Sequence, residues 1–532
     1  MIWIMGKILF IFISLFLLSS CLYEDKGNYD YNRLPDLEIW GVEENYGDRL
    51  LYTEYLKIVP EIKFSDEKDE AYSYAWYKKG KDKELVLISE TKDLNYLPED
   101  FGRNDFRFVV VHKETGLKAW VDTYCNVYSK TERGFYVLKQ TVDGRTDMDA
   151  YLREPDGSYT KMEDVITLAV GAPLDGDPKS LDYNKYRWDN RDENSLEVKN
   201  ALFPTTSEDV AVIDLVSLKH LVSYEDLFVE AMPIKGERKI KGMFSSGSSS
   251  MLIYEGNDGK NKVRTRTAHE HSTFGFEYED YNPFPCPLGT EEGGNKLMLF
   301  DQESGRFLTT SGEVSKYTVL SKTINSTFGK YPMEGRDCDI VFLAQSDGQC
   351  GYLASKGIGY VLMKKRHHPD SLLLGQFSPK MFSSLTSYSA MQQVDTLLAS
   401  KVALSRADFY TMHQDGGVMY FSIGNSINKY YINSKKEMVD VMRVPGGEIT
   451  WMKYLRNDYV EAPLRFSCLI IATYDKATDS YKLLLYDIDS SDNPVVTPRT
   501  VLEGKGRVHS AKYVVPVNLE GSRTFFKNYY YY

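Results

Sequence analysis

The chain is 532 residues long, room for roughly two to four domains. Its 42% apolar and 13% aromatic composition, with 40 tyrosines, supplies a large core and excludes disorder over most of the length. The formal net charge of −12 argues against nucleic acid as a partner, since phosphate contacts need cations, and against docking on anionic lipid through a basic patch.

The first twenty residues carry one charge, Lys7, and the 11 residues from Ile8 to Leu18 are almost wholly apolar. A membrane-spanning helix needs roughly 20 such residues, so residues 1–20 read as a secretory signal peptide rather than an anchor helix. Leu18, Ser19, Ser20 and Cys21 resemble the lipobox of bacterial lipoproteins, in which a peptidase cuts before a cysteine that already carries diacylglycerol. The resemblance implies that Cys21 is the lipidation site and that a lipid anchor holds the chain to a membrane, several acyl chains making the attachment stable. The alternative is an ordinary secreted chain with a chance cysteine near its cleavage site. Removing residues 1–20 takes away only Lys7, so −12 becomes −13 for the mature chain. Residues 21–33 then form a polar tether, with Glu24 and Asp25 close behind the lipid. Five cysteines remain, Cys125, Cys286, Cys338, Cys350 and Cys468. An odd number cannot all pair; a bridge between Cys338 and Cys350 and a set of buried thiols both stay open.

Residues 34–129 alternate on a period of two, as in YSYAWYKKG (Tyr72 to Gly80) and DFRFVVVH (Asp105 to His112), and predict a β-sandwich with Trp76 on an early strand. Residues 130–532 repeat a looser unit of apolar strand, polar turn and aromatic strand. It recurs in GFYVLKQTVDGRTDMDAYL from Gly134, KLMLFDQESGRFLTT from Lys296, VMYFSIGNSINKYYINSKKEM from Val418 and CLIIATYDKATDSYKLLLYDID from Cys468. Units of this kind predict propeller blades, with tandem sandwiches as the competing architecture. Closure of such a ring requires the last strands, near Val508 to Val517, to pair with the first, near Phe135 to Leu138. Ser378 to Lys401 reads as a helical insertion at a blade edge.

The Cys21 lipobox, the following YEDKGNYDYN, the sandwich with Tyr74, Trp76 and Phe106 to Val111, and the long β-rich remainder together resemble the PKD-like lipoproteins of Bacteroidota. Within that resemblance, Glu24 and Asp25 match a surface-export signal. The fold class it implies is all-β, an Ig/PKD-like sandwich followed by a propeller-like domain. It further implies an outer-membrane lipoprotein facing the cell exterior and working beside a SusC/SusD-type importer of oligosaccharides or peptides.

No motif of nucleophilic, metal-dependent or nucleotide chemistry is present, so no cofactor is expected. A non-catalytic binding or accessory role leads, with a glycan- or peptide-degrading enzyme on a propeller scaffold as the alternative. His269 and His271 would share a strand face and reach one metal, yet flanking Arg264 and Arg266 favour a solvated edge. His367 and His368, beside Arg366 and Pro369, read as a charged turn. The turn Asp487, Asp489, Asp492 lacks the glycine and distal glutamate of a calcium loop. For ligand binding, two aromatic-polar segments predicted as loops stand out: DYNKYRWDNRDEN, with Tyr186 and Trp188, and FGFEYEDYNPFPCP, with Tyr278 and Tyr281. Aromatic faces stack on sugar rings or side chains while neighbouring Asn and Asp orient hydroxyls or amides.

Overall fold

Short apolar runs closed by Gly, Asp or Asn turns fold here as antiparallel hairpins. Val418–Ile423 returns as Ser426–Tyr431 with Ile423 opposite Ser426, around Gly424 at φ +52°, where a side chain would be strained. Phe466–Asp475 returns as Ser480–Asp487 with Ile470 opposite Leu485. The computed structural model describes residues 37–514, apart from 52–53, 64–68, 81–82, 191–194, 230–234, 247–248, 268–271, 276, 278–280, 286–287, 290–296, 311–319, 324–336, 346–357, 378–390, 414–415 and 458–465.

Two compact units divide the chain. The first takes most of the residues up to Tyr124, with Gly47–Tyr55 and Leu97–Asn104 counted in the second, which continues from Cys125. The N-terminal five-stranded sheet has the order Asn45–Leu50, Lys118–Tyr128, Gly102–His112, Tyr72–Lys79, Leu85–Ser89. Two smaller pairs accompany it, Glu38–Trp40 with Glu61–Lys63 and Leu56–Ile58 with Leu94–Tyr96. The fold is Ig-like, and Trp76 is its buried centre. It lies 4.6 Å from the Phe108 ring, and its indole N–H donates to the Lys92 carbonyl at 3.0 Å, which satisfies its one polar atom.

From Gly134 onward the described residues form seven sheets, six of four strands and one of three. In chain order the innermost strands of sheets two to seven are Pro178–Asn190, Ile240–Ser246, Leu288–Gly289, Cys338–Gln345, Phe409–Met412 and Glu448–Asn457. The first sheet runs Tyr159–Met162, Thr146–Arg153, Gly134–Gln140, and takes its innermost strand, Arg507–Val514, from the far end of the chain. Each innermost strand touches the next, and Arg507–Val514 touches both Pro178–Asn190 and Glu448–Asn457. The ring is thus a closed propeller of seven sheets, sealed by the pairing of Val137 with Ala511 that the sequence demanded. A fully closed ring leaves no inner sheet edge to be templated.

The faces of neighbouring sheets are apolar and pack together. Phe135, Val137, Tyr151 and Tyr513 of the first sheet meet Leu483 and Leu485 of the seventh, and Tyr136, Met148 and Leu152 meet Leu181 and Leu202 between the first and second. The closure also carries a buried ionic knot. Lys139 Nζ lies 2.6 Å from Asp149 Oδ1 and 2.8 Å from Asp164 Oδ1, while the Tyr481 hydroxyl of the seventh sheet donates to Asp149 Oδ2 at 2.7 Å. Tyr151 and Tyr481 share a further hydroxyl contact at 2.8 Å.

One expectation is corrected. Met391–Leu398, inside the segment read as a helix, is the outer strand of the fifth sheet and pairs with Ser371–Phe377. The waiting edge of Ser371–Phe377 decides its conformation, since packing overrides weak local propensity. Ser378 to Ala390 lie outside the described residues.

Candidate functional site

The innermost strands carry a recurrent irregularity. In five of the seven sheets the pairing between the innermost strand and its neighbour slips by one residue soon after the innermost strand begins. The slips leave Lys179, Lys241, Val341, Thr450 and His509 as the extra residues of β-bulges. A bulge removes its extra residue from the ladder and re-aims the side chain, so bulges gather at barrel rims and binding sites.

All five lie at one end of the ring. Because successive strands run antiparallel, the start of each innermost strand sits beside the turn between the second and third strands of its sheet. Those turns are tied from sheet to sheet, Lys260 Nζ lying 2.6 Å from Glu303 Oε2 and Arg366 donating to the Gln302 carbonyl at 2.8 Å, and at the same end Gln140 Nε2 donates at 2.8 Å to Asp177 Oδ1, just before the innermost strand of the second sheet. The bulged residues therefore stand at one mouth of the ring's centre.

The electrostatics there are set by near neighbours rather than by the overall charge. His509 is open to solvent on its own surface, yet crowded by protein as a channel-lining residue is. Burial, then the positive charges of Lys179 and Arg507, push its pKa down to about 4, against a smaller opposing pull from Asp177. At neutral pH the imidazole is uncharged and both donates and accepts. Arg507 is held by Glu448 at 2.8 Å and Lys241 by Glu255 at 2.7 Å. Among the described residues no carboxylate lies within ion-pair distance of Lys179.

Three consecutive innermost strands also hold buried oxygens that find no hydrogen-bond partner among the described residues: Thr450 Oγ1 of the seventh sheet, Ser510 Oγ of the first and Asp182 Oδ2 of the second. The other Asp182 oxygen faces Lys512 Nζ at 3.4 Å. Further along Pro178–Asn190, burial lowers the Lys185 ammonium to about 8. Polar groups in such positions are costly unless solvent or ligand meets them.

The residues singled out from the sequence fall elsewhere. Asp182 to Asn190 is not a loop: it belongs to the innermost strand Pro178–Asn190, whose Asn190 opposes Ser195. Asp182 and Asn184 made it look solvated, but both are buried, Asn184 Nδ2 donating to Ser250 Oγ at 3.3 Å. Tyr186 is 1% exposed and packs in the core between the second and third sheets. Arg266, fully buried, lies 5.2 Å from its ring and 4.9 Å from that of Phe203, and burial draws the guanidinium down to about 10. Trp188 is half-buried against the same core, under the Lys199 ammonium at 5.4 Å. Tyr281 packs instead beside Met251, Ile253 and Leu299, so the structure does not bring it together with Trp188.

Tyr278, Cys21 and His269 to His271 lie outside the described residues, as do Cys286 and Cys350. Cys125, Cys338 and Cys468 are buried. His367 is exposed and its Nε2 lies 3.1 Å from Asp337 Oδ2. Asp489 closes its turn by accepting from the Ser491 and Asn493 amides at 2.8 Å. No cluster of metal-ligating side chains occurs among the described residues.

The sequence did not point to the bulge residues, because a bulge is a property of two strands. The visible signal was slight: an apolar residue just before each extra one, Pro178, Ile240, Ile340, Ile449 and Val508.

Comparison with known proteins places these features in context. The PKD-like family matches residues 21–178. No curated protein matches the sequence. Among solved structures, the chain is similar to a quinonprotein alcohol dehydrogenase-like protein of Bacteroides thetaiotaomicron, at 13% identity and TM-score 0.40, covering 90% of this chain and 99% of that one. A putative 6-phosphogluconolactonase of Bacteroides fragilis is similar at 11% identity and TM-score 0.38, over 72% and 98% of the two chains. The extracellular domain of a putative one-component system of B. thetaiotaomicron is similar at 9% identity and TM-score 0.35, over 87% and 69%. The fold assignment rests on the strand pairing itself.

Proposed function

We propose that this is an outer-membrane lipoprotein, acylated at Cys21 and facing the cell exterior, whose propeller binds a ligand without transforming it in the service of a SusC/SusD-type uptake system. The observation that carries the reading is a coincidence of positions: the PKD-like match begins at Cys21, the residue at which the lipobox resemblance starts the mature chain. A tether of residues 21–33 confines the body near the membrane plane, so a weak contact with a neighbouring importer is strengthened by effective concentration. The bulge residues Val341 and His509 reach solvent and support a binding end for the propeller, and loops on a rigid scaffold are where recognition resides.

The test has two arms. Labelled palmitate is expected to enter the wild-type chain and not the Cys21→Ala variant, which becomes soluble. A mild-detergent pull-down from native membranes is expected to recover importer subunits, and arrays of glycans and peptides to show binding without turnover. Equal labelling of Cys21→Ala defeats the anchor; recovery without an importer, together with polymer turnover, defeats the binding role and favours a degrading enzyme.

A further inference from the structure

The N-terminal five-stranded sheet buries one face and leaves the other open. Trp76, Phe106, Phe108 and Val110 fill the buried face, each 0% exposed. The alternate residues of the same strands point the opposite way, and the strand register gathers them. Tyr77 pairs with Arg107 on one side and with Leu87 on the other, and Lys79 pairs with Leu85. Counting from the bond between the His112 amide and the Leu117 carbonyl brings Asp122 beside Arg107 and Trp120 beside Val109. On this face Trp120 is 58% exposed, Leu87 48% and Leu85 42%. Single exposed apolar side chains are ordinary, but a sandwich whose core lies opposite does not require a tryptophan, a tyrosine and two leucines on one open face.

A fixed polar group stands among them. Arg107 donates through Nε and Nη2 to the two Asp122 oxygens, both at 2.8 Å, and Lys79 Nζ lies 3.3 Å from Asp122 Oδ2. A two-point contact of this kind fixes both side chains. The guanidinium Cζ lies 5.9 Å from the centre of the Trp120 ring, so the aromatic and ion-paired parts form one surface. The hydrogen bonds from Arg107 hold the Asp122 carboxyl below the usual carboxylate range. Arg107 and Asp122 are still partly open to solvent, with N–H donors and lone pairs beyond those they share.

The order of these parts decides the occupant. A protein interface has apolar anchors at its centre and polar groups at its rim. Here the ion pair is central, with Trp120 on one side and Tyr77 and Leu87 on the other. Lys79 and Arg107 are balanced by Asp122 and by Asp105, two residues before Arg107 on the same face, which favours neither an anion nor a cation. Trp120 and Tyr77 stand two strands and two residues apart, roughly 12 Å. We propose that this face binds a neutral oligosaccharide long enough to reach both, with sugar rings laid on Trp120 and Tyr77 and the intervening hydroxyls held by Arg107, Asp122 and Lys79. Sugar rings offer apolar faces to aromatic side chains and hydroxyls to the charged groups between them. The site belongs to the N-terminal unit and is independent of any ligand of the propeller.

The test screens the full chain in detergent on an array of neutral glucans, mannans, xylans and galactans, with peptides alongside, and titrates the strongest neutral saccharide calorimetrically. Trp120→Ala is expected to lower its affinity about tenfold or more, as truncating an anchoring tryptophan does. Asp122→Asn is expected to weaken it as well. Trp40→Ala removes another exposed tryptophan of the same unit and is expected to leave it unchanged. Binding of an uncharged ligand is expected to vary little with salt. If Trp120→Ala melts lower than the parent, Trp120→Phe, which keeps a stacking ring, is expected to retain most of the affinity. The proposal is overturned by an array on which no neutral saccharide binds, by binding that collapses as salt rises, or by Trp120→Ala releasing a peptide or a second copy of the chain instead of a saccharide. A saccharide bound equally by the parent and Trp120→Ala also overturns it, and leaves a binding role for the propeller standing. Failure of acylation or of importer recovery counts against the uptake role alone.

Discussion

Replacing Lys139 by Met isolates the ionic knot at the ring closure. The Lys139 side chain is 5% exposed and Asp149 is 0% exposed, with 2.6 Å between Nζ and Oδ1. Removing one partner of a buried pair costs roughly 3–5 kcal/mol, because the other charge is stranded. Asp149 keeps the Tyr481 hydroxyl at 2.7 Å and the Asp164 amide at 3.1 Å, which sets the expected loss near the lower bound, about 3 kcal/mol. The double variant Lys139→Met/Asp149→Leu strands no charge, and Tyr481 retains Tyr151 at 2.8 Å. It is therefore expected to recover to within about 1 kcal/mol of the parent. Burial pushes the Lys139 ammonium down, but Asp149 and Asp164 outweigh it, and the net shift is upward. A raised lysine stabilises fully below the unfolded value of about 10.4 and loses that contribution as pH rises through the folded value. Guanidinium unfolding followed by tryptophan fluorescence reads these differences. A Lys139→Met variant within about 0.5 kcal/mol of the parent, or a double variant no more stable than the single, refutes the assignment of the knot to ring closure.

Two further outcomes follow from the same topology. Deleting residues 505–532 removes Arg507–Val514, the innermost strand of the first sheet, and is expected to abolish the cooperative unfolding transition of the propeller. A truncated chain that melts as sharply and as high as the parent contradicts the closure. His509 has a folded pKa pushed down to about 4 against about 6.5 unfolded, so the unfolded state binds the proton first and stability falls as pH drops through that window. His509→Gln is expected to flatten the acid limb between those two values in melts across pH, and an unchanged limb argues against a crowded imidazole at the channel mouth.

The hairpins were legible because each is decided locally. CLIIATYDKATDSYKLLLYDID carries its apolar strands and its Asp-rich turn within one window, and Phe466–Asp475 pairs with Ser480–Asp487 as that window implies. Closure was legible for a related reason: an apolar alternating strand at the end of a chain of hairpins has only one unpaired edge to meet. Pro178–Asn190 was misread because an innermost propeller strand is buried on both faces. Asp182 and Asn184 can then be polar and interior at once, facing groups from other sheets, Lys512 and Ser250. Met391–Leu398 was misread because its partner edge, Ser371–Phe377, lies outside the segment that was read as a helix.

The site was illegible for a deeper reason, and that reason bears on what selects its ligand. Lys179 and His509 are 330 positions apart in sequence, and only the slip in two separate ladders brings both to one mouth. A net charge of −12 suggests a molecule that repels anions, but at physiological ionic strength charges beyond about 8 Å are largely screened. A ligand that has entered the mouth feels the nearest groups rather than the total. Those groups are Lys179, Asp177, the neutral His509 and an Arg507 already paired with Glu448. Burial that makes His509 reluctant to take a proton also raises the effective strength of any contact Lys179 makes there. The bulges thus bring opposite charges, Lys179 and Asp177, to one imidazole, a local arrangement that no reading of net charge would find.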